Sequence, residues 1–390
     1  MAIDKSIVFI ILLAVSNFLL KGTYLVFLSF ALMFLFFKKI KLNRISMLLI
    51  SFSVLYSVSQ LIFSSGSLIS NMAIFIFPLG YIMGYNLWKK ENFSDNLVQN
   101  ITYIGFAMAF HGILNFFYSY KMGGLSIFST GRTYDFWSKS MSTATGQASY
   151  YYYLGIIAVF LLTSKYFGKK KIFTLLFFGI CFLHNLLLGG RTFLALIAIA
   201  ILINFLFCLF FSNKKGKILK FIFIIFIAIL IIFILYSYNL FGVKDIFEES
   251  YFYRRFFSKN NYENISETPR WAIKMIYYKN MSVYLFGGNH IRNNLGMNYA
   301  HELWLDTYDT AGLMPFVILW IFTIHSIKTS YKIVVSRKLP FEVRGLVLSF
   351  ITVSLASFFV EPVIEGCPMV FFSFCYILGI LDRYLKKRRS

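Results

Sequence analysis

Apolar runs long enough, or nearly long enough, to cross a bilayer recur along the chain at 6–20, 23–37, 45–63, 68–88, 98–118, 147–164, 172–188, 192–211, 218–238, 303–327, 343–360 and 367–381. A hydrocarbon core about 30 Å thick takes about 20 helical residues to span, and a helix satisfies its own backbone hydrogen bonds there. The pattern therefore predicts an all-α polytopic membrane protein with about 12 transmembrane helices. The first two runs are short and call for tilt or extension. The first follows Lys5 and ends at Phe18-Leu19-Leu20-Lys21 without a small-residue cleavage pattern, so it reads as an uncleaved span. With 58% hydrophobic and 14% charged residues, no soluble domain is expected at either end, and residues 1–390 read as a single integral membrane domain.

The positive-inside rule orients this arrangement. With an even number of spans and both termini inside, the inner segments hold 25 of the 38 basic residues and five of the 16 acidic ones, a net of about +20. The outer segments hold the other 13 basic and 11 acidic residues, a net of +2. Every inner loop is basic, so the formal charge of +22 is topological and no nucleic-acid partner is expected. Cys181, Cys208, Cys367 and Cys375 fall in apolar stretches without paired spacing and read as reduced packing residues.

Two outer segments are long, 119–146 and 239–302. Long loops in a compact membrane protein are usually functional or disordered. The larger one, rich in aromatic and mixed charged residues, is expected to be partly helical. No internal repeat is visible, which weighs against inverted-repeat transporters.

Three stretches carry candidate chemistry. In 263–280, Thr268 and Pro269 form a helix start, a hydroxyl cap followed by proline at the first helical position. Arg270 falls in the first turn and Lys274 one turn later on the same face, so helix N–H groups, guanidinium and ammonium would together suit an anion. Trp271, Met275 and Tyr278 occupy a neighbouring face suited to a membrane surface. The alternative is a basic interfacial helix with no ligand. In 298–320, His301 opens a span from the outer side, with Leu305 and Tyr308 following at helical spacing and Glu302, Asp306 and Asp309 on a second face. A histidine titrates near neutral pH and can take a proton from a hydroxyl, although a single histidine is equally read as structural. No second nitrogen ligand accompanies it, so no metal site is expected. In 186–198, Arg191 follows two glycines in a turn near the outer surface, a costly place for a guanidinium that neither pairs nor faces water.

Other positions carry less. Arg132 and Asp135 lie in the first outer loop and read either as ligand contacts or as solvated charges. His111, His184 and Asn185 read as hydrogen-bonded packing groups within spans. Gly287-Gly288 reads as a turn, with His290 and Arg292 beyond it adding positive potential. Glu361 and Glu365 flank Pro362 and read as caps or as partners of an arginine.

Arginine in an outer turn, Arg270-Trp271 opening an outer-loop helix, Leu285-Phe286-Gly287-Gly288, then His301 leading to Ala311-Gly312-Leu313: in this order and on one side of the membrane, the chain resembles the O-antigen ligase and polymerase superfamily, membrane glycosyltransferases of the Wzy and WaaL type. The resemblance covers the hydropathy plan and, at motif level, about 186–198 and 268–315. Glu302 departs from it, since many relatives carry asparagine after the histidine.

The resemblance implies a GT-C-like fold and a metal-independent, inverting transferase that needs no cofactor. Its donor would be a glycan on undecaprenyl diphosphate held among the membrane helices. Arg191 and Arg270 would bind the diphosphate, with Lys274, Arg132, Glu302 and Arg292 as further substrate contacts, and His301 would be the general base. The location implied is a bacterial inner or plasma membrane, both termini cytoplasmic and the active site extracytoplasmic. The Ile-, Phe-, Lys- and Asn-rich composition favours an AT-rich genome, and with it a capsule or exopolysaccharide polymerase that works with a flippase and a chain-length regulator. The alternatives are a ligase moving finished glycan to another acceptor, a lipid-linked oligosaccharide flippase or anion transporter, and an export or scaffold subunit without chemistry.

Overall fold

The computed structural model describes residues 40–63, 72–87, 93–164, 170–211, 215–249, 251, 253, 269–296 and 299–387. The runs at 6–20 and 23–37 and the Thr268 cap lie outside the described residues. In chain order the helices are α1 (Arg44–Phe63), α2 (Ile76–Leu87), α3 (Phe93–Gly123), α4 (Ala144–Thr163), α5 (Lys170–Leu187), α6 (Arg191–Phe211), α7 (Lys215–Ser237) and α8 (Val243–Glu249). They continue as α9 (Pro269–Asn280), α10 (His290–Leu295), α11 (Leu303–Ala311), α12 (Leu313–Val334), α13 (Phe341–Phe358), α14 (Val363–Gly366) and α15 (Pro368–Lys387). A hairpin of β1 (Arg132–Tyr134) and β2 (Met141–Thr143), pairing Thr133 with Ser142, is the one sheet among the described residues.

Each apolar run from 45 onward overlaps a helix; of the run at 68–88 the described residues are 72–87, a 3-10 turn over Met72–Phe75 leading into α2, and the run at 303–327 divides into α11 and α12. Among the described residues, six helices, α1, α3, α6, α12, α13 and α15, are long and apolar enough to cross a membrane. Large apolar side chains also face outward, among them Phe223, Phe226 and Phe233 of α7, each at least 60% exposed. Such a surface needs a non-aqueous surround. The protein is an all-α polytopic membrane protein.

Backbone contacts divide the chain into two compact units interleaved in sequence. The first comprises Met1–Tyr103, Glu263–Val335 and Ser354–Ser390, the second Ile104–Tyr262 and Ser336–Val353. In the first, α2 packs closely on α15. Gly80 and Gly84 sit four apart, and a Cβ on either would strike Phe372 or the Tyr376 carbonyl. A Cβ on Gly379 would strike the Tyr81 carbonyl. Lipid supplies no hydrophobic drive between helices, so close backbone approach at small residues holds such a pair. Toward the other end of α15, Asp382 accepts hydrogen bonds from the Tyr81 hydroxyl (2.7 Å) and Thr329 (2.8 Å) and lies 2.6 Å from His325 Nε2.

The second unit packs α4 against α5 and α6. Gly155 leaves space for Ile197, and Gly105 lets the backbone of Leu154 come close. The segment 119–146 is ordered by fastenings to α3. Ser119 accepts the Tyr134 N–H (2.7 Å), Asn115 accepts the Phe136 N–H (2.8 Å), and His111 Nε2 meets Asp135 at 2.7 Å. Thr143 then caps α4, accepting the Gly146 N–H at 3.2 Å.

Candidate functional site

The first unit gathers α9, α10, α11, α14 and the turn before α11. Helix α9 opens at Pro269, whose fixed φ and missing N–H suit a first helical turn. Arg270 follows in that turn. One turn on, Lys274 Nζ lies 3.0 Å from Glu302 and donates to the Phe359 carbonyl at 2.5 Å. The Tyr278 hydroxyl donates to the other Glu302 oxygen at 3.4 Å. Tyr277 faces inward onto Ile291, Ala300 and Leu305, whereas Trp271, Met275 and Tyr278 are 40–50% exposed, as the facial pattern predicts.

The break between α11 and α12 explains the two glycine motifs. Gly312 has φ +86° and ψ −171°, a conformation closed to L side chains. Gly287 (φ +82°) lies against it, and a Cβ on either residue would run into the other segment's backbone. Gly288 N–H donates to the Thr310 carbonyl (3.2 Å), Asn289 N–H to Asp309 (2.8 Å) and Leu313 N–H to Leu285 (2.9 Å). The Leu-Phe-Gly-Gly segment is thus backbone-bonded to the Ala-Gly-Leu break. Because α12 starts at Leu313, the helix α11 that carries Asp306 and Asp309 is separate from that candidate span.

His301 precedes α11 and is not part of it, so the helical spacing read from 301 holds only from 303 onward. Its φ is +58°, left-handed for a residue with a side chain, at a cost of about 1–2 kcal/mol. The turn is held by Asp306. One carboxylate oxygen accepts the Ala300 N–H at 2.7 Å, the other accepts the Glu302 N–H at 3.0 Å, and the Asp306 N–H donates back to the Glu302 carbonyl at 2.9 Å. The two amides flanking the histidine are therefore bound by one carboxylate. Glu302, the N-cap residue, makes no side-chain cap bond. A residue one position beyond the usual capping-box reach does that work. Burial of Asp306 pushes its carboxyl up to about 7, with the Glu365 charge acting in the same sense, against the two amide donors and Arg292.

Arg292 is the hub of a second cluster. Its Nε donates to Asp309 (2.9 Å), its two terminal nitrogens to Glu365 (2.8 and 3.1 Å) and one of these also to Thr310 (2.9 Å). Burial disfavours its charge, yet the hydrogen bonds and charges of Glu365 and Asp309 raise its pKa. Glu365 is thus the partner of an arginine, one of the two roles its sequence context suggests. The same carboxylate also lines a cavity of about 240 Å³ with Tyr56, Gln60, Ile74, Phe77 and Met369. Lys274 and Arg292, both assigned to substrate by sequence, are here paired with carboxylates, and the Glu302 carboxylate is buried against Lys274. Counting Glu302, Asp306, Asp309 and Glu365 against Lys274 and Arg292, acids outnumber bases among these six groups. Among the described residues, no three His, Cys, Asp or Glu side chains converge as a metal-binding group.

Arg191 and Arg132 belong to the second unit. Arg191 is the first residue of α6, exposed, after a turn in which Gly189 has φ +66° and Gly190 has no room for a Cβ beside Asn185. Arg132 opens β1, also exposed. Asp135, which reads from sequence as a ligand contact or a solvated charge, is instead buried on His111. Desolvation acts against its charge, but His111 and the Ser138 N–H hold the carboxyl well below the usual range. His111 and His184 are buried packing groups, the latter 2.6 Å from the Tyr151 hydroxyl, and the four cysteines are buried and outside any disulfide.

Residue spacing puts Asp306 on an acidic face but carries no sign that it binds the amides around His301, which depends on a left-handed turn. Nor does it signal the His325–Asp382 pair, whose third partner, Tyr81, lies 301 positions from Asp382. Compared with known families and with curated proteins, the chain matches no family profile and no curated relative.

Proposed function

We propose that this chain is a polysaccharide polymerase of the bacterial cell membrane, with about twelve spans and both termini cytoplasmic, which moves a growing glycan from undecaprenyl diphosphate onto the next lipid-linked repeat unit at the outer face. The observation that carries the reading is His301, a histidine in a strained left-handed turn at the mouth of α11, fixed by buried hydrogen bonds. Strain of this kind persists where the surroundings over-determine it, and it clusters at functional sites. In the proposed step, His301 takes the proton of an acceptor hydroxyl while that oxygen bonds to the anomeric carbon. The bond from that carbon to the diphosphate oxygen breaks, the electron pair leaves with the diphosphate, and the configuration inverts. Arg270 would stabilise the departing diphosphate, and the resemblance gives Arg191 the same role.

A second reading, transport of a lipid-linked oligosaccharide or an anion, draws on the His325–Asp382 pair, since ionisable groups inside spans often mark a pathway. Complementation of a gene deletion separates the two. Strains carrying wild type, His301→Ala, Arg270→Ala, Arg191→Ala or His325→Ala at equal membrane levels are compared by the size of their surface and lipid-linked glycans. Single repeat units that accumulate with His301→Ala, Arg270→Ala and Arg191→Ala identify a polymerase. Long lipid-linked chains that never reach their acceptor identify a ligase. Normal polymer with His301→Ala and loss with His325→Ala favour transport.

A further inference from the structure

We propose that Asp306 is the positioning residue for His301, and that it acts through the backbone. The inference rests on reading His301 as the proton acceptor. Asp306 is 4% exposed and accepts hydrogen bonds from two amides, those of Ala300 and Glu302. The nearby guanidinium of Arg292 is instead engaged by Asp309 and Glu365. Among the described residues no cation bonds to Asp306, and burying a carboxyl in that state is costly. A helix start that needed only a cap would be served by a serine, threonine, asparagine or aspartate at position 302. Ionised, the carboxylate has two acceptor oxygens set as a fork, and each takes one of the two N–H bonds that bracket His301. Those bonds fix the peptide planes on either side of His301, and hence the direction of its Cα–Cβ bond. The packing of Ala300 and Leu305 with Tyr277 and Ile291 keeps the fork in place.

Orientation of a reacting group matters steeply, since a displacement of about 1 Å can cost about 100-fold in rate. Asp306→Asn is isosteric but retains one acceptor and turns an NH2 toward the other amide, so it releases one side of the bracket. Asp306→Glu keeps both oxygens on a longer stem.

The test uses the full-length protein in detergent and two readouts. The first is carbethoxylation of each histidine by diethyl pyrocarbonate, quantified on peptides by mass spectrometry, with His290 of α10 as internal control. Asp306→Asn is expected to change the His301 rate at least about threefold and to leave His290 unchanged, with Asp306→Glu partly restoring the wild-type rate. The second is chain growth on lipid-linked repeat units extracted from the deletion strain. There Asp306→Asn is expected to lower kcat about 10- to 100-fold with KM within about twofold, again partly rescued by Asp306→Glu. Unchanged His301 reactivity in Asp306→Asn overturns the inference. Should Asp306→Asn disturb His290 as well, Asp306→Glu decides: wild-type His301 reactivity there supports the inference, and reactivity lost along with that of His290 overturns it. Full activity in His301→Ala would instead defeat the functional reading, and the histidine-reactivity arm would still judge Asp306.

Discussion

His111 and His301 each have an aspartate bound close by, and the two aspartates hold them differently. Asp135 meets the His111 ring itself at 2.7 Å, and that ring is fully buried against Tyr150. The pair fastens the 119–146 segment onto α3. Asp306 grips the amides before and after His301, in a turn that leaves the histidine partly exposed. In one arrangement the carboxylate takes the imidazole, and in the other it takes the backbone on either side of one. A histidine beside an aspartate is thus not one kind of site, and which atoms the carboxylate takes decides what the imidazole can do.

The contrast is sharpest on activity. Loss of a general base typically costs about 10²- to 10⁴-fold, so His301→Ala should lower chain growth by about that factor at unchanged protein level. His111→Ala, corrected for the amount of folded protein, should stay within about twofold. Equal losses in both would erase the distinction.

Stability should show the reverse order. Asp135→Ala removes one partner of a buried pair, a change worth about 3 kcal/mol, and should lower the thermal midpoint in detergent and speed proteolysis within 119–146. His301→Ala removes a side chain from a strained backbone and should change the midpoint little, while His301→Gly, which relaxes the positive φ, should raise it slightly.

A smaller effect is expected in pH dependence. The Asp306 carboxyl moves from an ordinary 3.8 to about 7 on folding. Between those values the folded state keeps a proton that the unfolded chain has released, so stability falls as pH rises from about 4 to 7, at most by about 1.4 kcal/mol per unit. The contribution is complete at the acid end of that window and gone above it. Asp306→Asn should flatten this slope. Asp135, held below the usual range, has the opposite sign, and its stabilisation is lost as pH falls through the acid range. Melts of Asp306→Asn and Asp135→Ala from about pH 2 to 8 read the two signs separately, that of Asp135 below about pH 4 and that of Asp306 above it.

The smallest effect contrasts the two helix starts. Thr143 caps α4 in the usual way, and Thr143→Ala should cost about 1 kcal/mol. The side chain of Glu302 makes no cap bond at α11, so capping there should be insensitive to its loss, and any cost of Glu302→Gln should vanish when Lys274→Gln accompanies it. A double-mutant cycle on thermal midpoints checks both statements.

The long apolar runs made the helices legible from the residues alone, because length and hydropathy constrain a spanning helix more than any tertiary contact does. Pro269 as a helix start and the glycine turn before Arg191 were also visible as local chemistry. The break at Gly312 was not, because an apolar run says nothing about φ, and Gly312 is forced out of helical geometry by Gly287, which is distant in sequence. The charges of Lys274 and Arg292 were legible but their partners were not. Residue type alone assigns them to an anion, while the fold brings Glu302, Asp309 and Glu365 to them. The role of Asp306 depends on two amides and one backbone angle, none of which has a signature in residue type.

Whether this chain joins lipid-linked repeat units with His301 as the proton acceptor is decided most directly by reconstitution. The purified full-length protein is placed in liposomes with labelled repeat units from the deletion strain, and chain length is followed on gels. Wild type is expected to produce a ladder of longer lipid-linked chains with release of undecaprenyl diphosphate, and His301→Ala to leave single units only. A ladder from His301→Ala as long as that of wild type, or no chain growth by wild type on its own repeat unit, would contradict the proposed function.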